Sequence, residues 1–184
     1  MKTEFTLEEA KDLINYALSE FYKKDKLLVD YKSIKASVAE NCMVFRIGWY
    51  LLNKVQNDPR YAEISLDCQY NRNFEHTKGL FRETENGIRE KLKDALPDLL
   101  LHKRRDNAEN LMVLEFKKGK PNKEQMDIDI EKLCYYTSQD YEYKYSFGFS
   151  IWLYKRDWAT IKIFQNGKEM GALCYKWSLN PKTA

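Results

Sequence analysis

Two short apolar runs, each bordered by a carboxylate, constrain this chain more than any other feature. Leu99-Leu100-Leu101 follows Asp98, and Leu111-Met112-Val113-Leu114 runs into Glu115-Phe116-Lys117. Apolar runs of this length, without polar alternation, suit strands covered on both faces. A charge ending such a strand sits at the border of a buried sheet and requires a partner. Residues i and i+2 of a strand project to the same side, so Glu115 and Lys117 point together, and Phe116 points with Leu114 and Met112. The polar stretch 103–110 between the runs suits a hairpin, which could place Asp98 close to Glu115. Two carboxylates that close repel strongly unless a cation lies between them.

The acid-x-Lys spacing carries little alone, since it recurs at Glu9-Ala10-Lys11, Asp30-Tyr31-Lys32 and Glu142-Tyr143-Lys144. The apolar run before it sets Glu115 apart. A hard divalent cation is held by one or two carboxylates together with waters and substrate phosphate oxygens. It would polarise a phosphate and lower the pKa of a bound water. Lys117 could orient that water, stabilise charge developing on phosphate, or act as a base with a depressed pKa. The sequence leaves these roles open.

Around these runs the chain reads as one α/β domain without repeats or linkers. Thr6 and Glu9 form a capping box for a helix carrying Leu7, Ala10, Ile14, Ala17, Leu18 and Phe21 at helical spacing. A second helix is expected over residues 33–55, with one stripe of Ile34, Val38, Cys42, Phe45, Trp49 and Leu52 and another of Val44, Ile47 and Leu51. Apolar on two sides, it should be buried centrally. Glu40 heads the second stripe, and either meets a cation or hydrogen bonds inside or reaches water near the helix end. A strand is expected over 61–70, a short helix around 85–95, and a helix over 123–138 with Ile130, Leu133 and Cys134 inward and Asp129, Lys132 and Tyr136 on another face. Residues 145–154 alternate like a strand, and their aromatics suit core packing, a partner interface or base stacking. Residues 159–165 and 168–175 flank Asn166-Gly167, a strong hairpin signal.

Composition narrows the function classes. No apolar run approaches the ~20 residues of a membrane helix, and the acidic, amphipathic start MKTEFTLEEAKD is no signal peptide. A cytoplasmic location follows as the expectation. The four cysteines are far apart and only two histidines are present, so a zinc site is disfavoured and free thiols are simpler than disulfides. The net charge of +3 is mild, but residues 102–123 hold seven Lys/Arg against three acids. Such a patch suits phosphates or is an ordinary solvated loop. Arg104 and Arg105 fit phosphate contact. His102, on the Asp98 side of its strand, could touch phosphate, support Asp98, or be a satisfied structural residue.

Glu40 in a helix, Pro97-Asp98, and Glu115-x-Lys117, with αβββαβ order, resemble the PD-(D/E)XK nuclease superfamily and its restriction-endonuclease-like fold. The resemblance runs over residues 33–154, about two thirds of the chain. Residues 1–30 would then be a helical addition and 159–177 a C-terminal β-hairpin. Within the superfamily it is closest to a group of small, uncharacterised bacterial and phage-associated proteins. Asp67-Cys68-Gln69-Tyr70-Asn71-Arg72, then Pro97 to Arg104, then Asn110 to Lys118, and the helix with Asp129 and Lys132-Leu133 carry this narrower match.

The resemblance implies a central mixed sheet flanked by helices and a Mg²⁺ or Mn²⁺ site. Asp98 and Glu115 would be ligands, Lys117 the catalytic lysine and Glu40 the helix acid. It implies nucleic acid, chiefly DNA, as substrate, with Tyr70, Arg72 and Lys132 lining the site and a homodimer or larger complex as a further option. One departure stands out: Gln69 occupies a position where an acid is expected, so a non-cleaving nucleic-acid-binding or interaction subunit of a defence or mobile-element system is the alternative.

Overall fold

The computed structural model describes residues 5–29, 39–70, 96–155 and 158–170, together with the backbone alone of short strands between 72 and 94 and of 175–178. The chain begins with helix α1 (Leu7–Asp25), closed by the expected capping box: Thr6 Oγ1 accepts from the Glu9 amide at 3.2 Å, and Glu9 Oε2 accepts from the Thr6 amide at 2.9 Å. Its inner stripe, including Leu13, Ile14, Leu18 and Phe21, is buried.

Helix α2 (Glu40–Val55) lies against α1. The part of the expected helix before residue 39, with Ile34 and Val38, lies outside the described residues. Of the two expected stripes, only the one with Val44, Ile47 and Leu51 is buried, joined by Met43, Tyr50 and Val55. Cys42 is exposed, as are Phe45 (61%) and Trp49 (49%), so the helix is buried on one side only. The reason is close seating: a Cβ at Gly48 would come within 3.1 Å of Leu99, so this side contacts the sheet and the opposite side is left outward.

A 3-10 turn at Pro59–Tyr61, capped by Asp58, shortens the expected strand at 61–70 to β1 (Ser65–Cys68). Two short hairpins follow: β2 (Arg72–Asn73) with β3 (His76–Thr77), and β4 (Gly79–Glu83) with β5 (Arg89–Asp94). Of the helix expected around 85–95, residues 89–94 form a strand instead, and the rest lies outside the described residues.

The two apolar runs form the expected antiparallel pair, β6 (Leu99–His102) and β7 (Asn110–Lys118), joined through a 3-10 turn. Helix α3 (Lys123–Thr137) opens on an Asn122–Gln125 capping box and crosses to β8 (Phe147–Tyr154), which runs parallel to β7. Then come β9 (Trp158–Gln165), β10 (Lys168–Glu169) and β11 (Tyr175–Ser178), the last two both pairing with β9. Asn166 (φ 52°) and Gly167 (φ 75°) make the tight turn between β9 and β10, the left-handed pair that a two-residue hairpin needs.

The result is an α/β domain with an open, mixed, seven-stranded sheet ordered β1-β6-β7-β8-β9-β10, with β11 beside β9. One face, with Leu99, Leu101, Met112, Leu114 and Phe116, packs with α1 and α2. The other, with Leu100 and Val113, packs with Leu133 and Tyr136 of α3 and with Tyr143 and Tyr145. The aromatic run into β8 therefore serves the core: Tyr143, Tyr145, Phe147, Phe149 and Trp152 are all buried. Among the described residues Cys42, Cys68 and Cys134 are free thiols, and no helix is long and apolar enough to cross a membrane.

Candidate metal centre

The β6–β7 register pairs Leu99 with Leu114. Continued one step, that ladder would bring Asp98 opposite Glu115, and Asp98 acts electrostatically on the Glu115 carboxyl. Asp98 is fixed there by two hydrogen bonds. Its Oδ2 accepts from the Phe116 amide at 2.7 Å, and its carbonyl accepts from the Gln69 amide at 3.2 Å. Gln69 itself has φ 48° at the end of β1.

Strand alternation turns Val113, Glu115 and Lys117 toward α3. That helix presents Asp129 and Lys132, one turn apart. Lys132 Nζ donates to Glu115 Oε1 at 2.8 Å. Lys117 Nζ stands 3.4 Å from Asp129 Oδ2 and 3.5 Å from Glu40 Oε1, and donates to the Phe116 carbonyl at 3.0 Å. Glu40 is the first residue of α2 and reaches the end of β7, where its Oε2 accepts from the Lys118 amide at 3.0 Å. Its side chain is 35% exposed. Glu40 thus lies at the helix end, part exposed, with Lys117 and the Lys118 amide as partners.

Glu40, Asp98, Glu115, Asp129, Lys117 and Lys132 form one electrostatic unit of four carboxylates and two ammoniums. With all groups ionised, the cluster carries two surplus negative charges. Glu115 is 2% exposed. Its burial, reinforced by Asp98 and Asp129, pushes its pKa up to about 8 despite Lys132. Burial also raises the Asp98 and Asp129 carboxyls, opposed respectively by the Phe116 amide and Lys117 and by Lys117 and Lys132. Burial works to lower the Lys117 pKa, but Asp129, Glu40, Glu115 and Asp98 together outweigh it and hold the ammonium above its ordinary range.

These residues fit a hard divalent cation. The donors are all oxygen, the surplus charge matches one such ion, and buried Asp129 Oδ2 has no well-aligned hydrogen bond, with Lys117 Nζ 3.4 Å away. Among the described residues, however, no three acidic, cysteine or histidine groups converge as a finished cage. Lys117 and Lys132 are the counter-ions of the cluster as it stands.

The remaining expected site residues are placed differently. Lys132 is the partner of Glu115. His102 is buried with its Nε2 3.0 Å from Asp67 Oδ2, and the Tyr70 ring meets it edge-on at 5.0 Å. Arg104 binds the same carboxylate through Nε at 2.8 Å and through Nη2. Burial opposes ionisation of Asp67, yet Arg104 and His102 outweigh it and hold the carboxyl well below the usual range. His102, Arg104, Asp67 and Tyr70 therefore form a separate cluster across β1 and β6. Arg105 is exposed at φ 63° in the β6–β7 connection. Arg72 lies on β2, whose side chains are outside the described residues. Asp129 joins the carboxylate cluster, although the sequence reading did not place it there. Its signal was the Asp129–Lys132 pair on one helical face.

Comparison with protein-family models, curated proteins and solved structures finds no match.

Proposed function

We propose that this protein is a metal-dependent endonuclease of the PD-(D/E)XK type that hydrolyses phosphodiester bonds in nucleic acid, with DNA as the principal substrate. The supporting observation is the surplus of carboxylates over ammoniums at the junction of β6, β7, α2 and α3, since one divalent cation would balance it. With the hairpins β2–β3 and β4–β5 set aside as an insertion, the order α2, β1, β6, β7, α3, β8 is compatible with the αβββαβ layout that the resemblance implies.

Asp98 and Glu115 would hold Mg²⁺ or Mn²⁺, with Glu40 and Asp129 at hand on the flanking helices. When bound, the cation supplies Lewis-acid polarisation of the scissile phosphate and an acidified water. The chain's own residues do the rest. The Phe116 amide fixes the Asp98 carboxylate in place. Lys132 donates to Glu115 and keeps it turned toward the site. Lys117, an ammonium, is suited to hold a water or to stabilise negative charge developing on phosphate.

The test is nicking and cutting of double- and single-stranded DNA and of RNA with Mg²⁺ or Mn²⁺. Turnover should require the metal, and Glu115→Ala and Lys117→Ala should each abolish it. Unchanged cutting in both variants would reject this site.

A second reading has its own support: the two lysines already serve as counter-ions, and no finished cage is present among the described residues. On that reading the protein binds nucleic acid or a partner without cleaving. Binding with no turnover across the substrate panel would select it.

A further inference from the structure

The candidate centre holds its two ammoniums in different ways. Lys117 Nζ, on the same strand as Glu115, is bracketed by three oxygens: Glu40 Oε1 at 3.5 Å, Asp129 Oδ2 at 3.4 Å and the Phe116 carbonyl at 3.0 Å. Lys132 comes from α3 and, among the described residues, has one hydrogen-bonding partner, Glu115 Oε1 at 2.8 Å. It nonetheless acts electrostatically on Asp98 and Asp129 as well. One positive charge is thus felt by three carboxylates. Its tether is also the looser one. The Lys132 side chain is 14% exposed, against 2% for Glu115 on the buried strand. A flexible four-carbon stem lets a lysine carry its head group elsewhere, a freedom that a carboxylate seated on a central strand lacks.

An ammonium and a hard divalent cation compete for such a carboxylate. Both approach its oxygen lone pairs, the ammonium through N–H and Mg²⁺ at about 2.0–2.1 Å. Two cations that share one buried carboxylate also repel each other with little screening. The whole cluster, with its two surplus negative charges, balances a divalent ion with both lysines charged. The Asp98–Glu115 pair alone does not. With Lys132 on Glu115 and a divalent cation between the two carboxylates, that group carries one surplus positive charge. A move of Lys132 to Asp129 relieves it. Asp129 lies three positions earlier on α3, within reach on the helix surface, and its buried Oδ2 has no well-aligned hydrogen bond.

We propose that Lys132 is a built-in competitor of the cation: it holds Glu115 in the metal-free protein, passes to Asp129 when a divalent cation enters, and so sets the cation concentration at which the centre loads. The proposal deepens the nuclease reading by assigning the regulation of its metal site. It rests on that reading for the identity of the site but not for its readout. Its sign separates it from a purely supporting role. A lysine that only props Glu115 in place helps the cation bind, and its removal weakens binding. A competitor hinders the cation, and its removal tightens binding.

The test measures Mn²⁺ binding to the full chain by electron paramagnetic resonance and calorimetry, without nucleic acid. Lys132→Met and Lys132→Gln should each bind Mn²⁺ at least tenfold tighter than the parent, and Lys132→Arg, which keeps the charge, should stay close to it. Glutamine keeps a donor for Glu115 without the charge, which protects the measurement if the methionine variant fails to fold. A second measurement needs no variant: in a Mn²⁺-loaded crystal of the parent, Lys132 Nζ should lie on Asp129 and beyond hydrogen-bond distance of Glu115. Neutral variants that bind Mn²⁺ no tighter than the parent, an arginine variant that binds as tightly as the neutral ones, or Lys132 still on Glu115 beside a bound cation would overturn the proposal. Tighter binding in the neutral variants with no nucleic acid cleaved by the parent sinks only the nuclease reading. Metal-dependent cleavage with unchanged Mn²⁺ affinity in the neutral variants sinks only the competitor, and Mn²⁺ binding by none of these proteins sinks both.

Discussion

Replacing Glu115 by Gln should stabilise the metal-free protein at pH 8. Burial pushes the Glu115 carboxyl up to about 8 in the folded chain, against an ordinary value of 4.5. Between those values the folded state binds more protons than the unfolded one, so stability falls as pH rises through the window. The favourable contribution is complete below about pH 4.5 and lost above about pH 8. At about 1.36 kcal/mol per pKa unit, the whole window is worth on the order of 5 kcal/mol, shared through coupling with Asp98 and Asp129. For a domain of this size, about 2–4 °C of melting temperature accompanies each kcal/mol, which makes a drop of roughly 10 °C. Glutamine keeps an acceptor for Lys132 and carries no charge. Thermal melts in EDTA at pH 5, 6, 7 and 8 should therefore show a steep decline in the parent protein and a shallow one in Glu115→Gln. Adding Mn²⁺ at pH 8 should raise the parent melting temperature and leave the variant where it was, because only a ligand bound to the folded state stabilises it. A parent protein indifferent to pH, or a variant less stable than the parent at pH 8 without metal, would refute the reasoning.

Other consequences follow from particular contacts. Asp67→Ala strips His102 of its buried partner and should cost about 2 kcal/mol in urea unfolding. Arg104→Ala should cost under about 1 kcal/mol, because its side chain is 57% exposed. Gly148→Ala places a Cβ 3.0 Å from Thr137, 3.2 Å from Leu133 and 3.3 Å from Phe164. It should wedge α3 from β8 and destabilise by about 1–3 kcal/mol, read as a lower denaturation midpoint at unchanged slope.

What could be read in the sequence was local and steric. Thr6 and Glu9 encode their own cap, Asn166-Gly167 encodes its own turn, and the unbroken runs at 99–101 and 111–114 encode two strands covered on both faces. The opposition of Asp98 and Glu115 followed from that hairpin. What was not legible depended on partners distant in the chain. Apolar periodicity could not say which side of α2 meets the sheet, because Gly48 against Leu99 decides it. Residues 89–94 carry charges that suit a helix equally well, and only the facing strand at 79–83 fixes them as extended. Asp129 and Lys132 were visible as one helical face, but not as the second wall of the carboxylate cluster. Asp67 drew His102 and Arg104 into a cluster of their own through the β1–β6 pairing, which no spacing rule signals.

The most direct measurement is a crystal structure of the protein soaked in Mn²⁺, with anomalous scattering recorded at the manganese edge. A peak between Asp98 and Glu115, with oxygen ligands at about 2.0–2.2 Å and lost in Glu115→Gln, is the predicted result. Full soaking with no anomalous peak there, and Lys132 still bound to Glu115 as in the metal-free protein, would contradict the account.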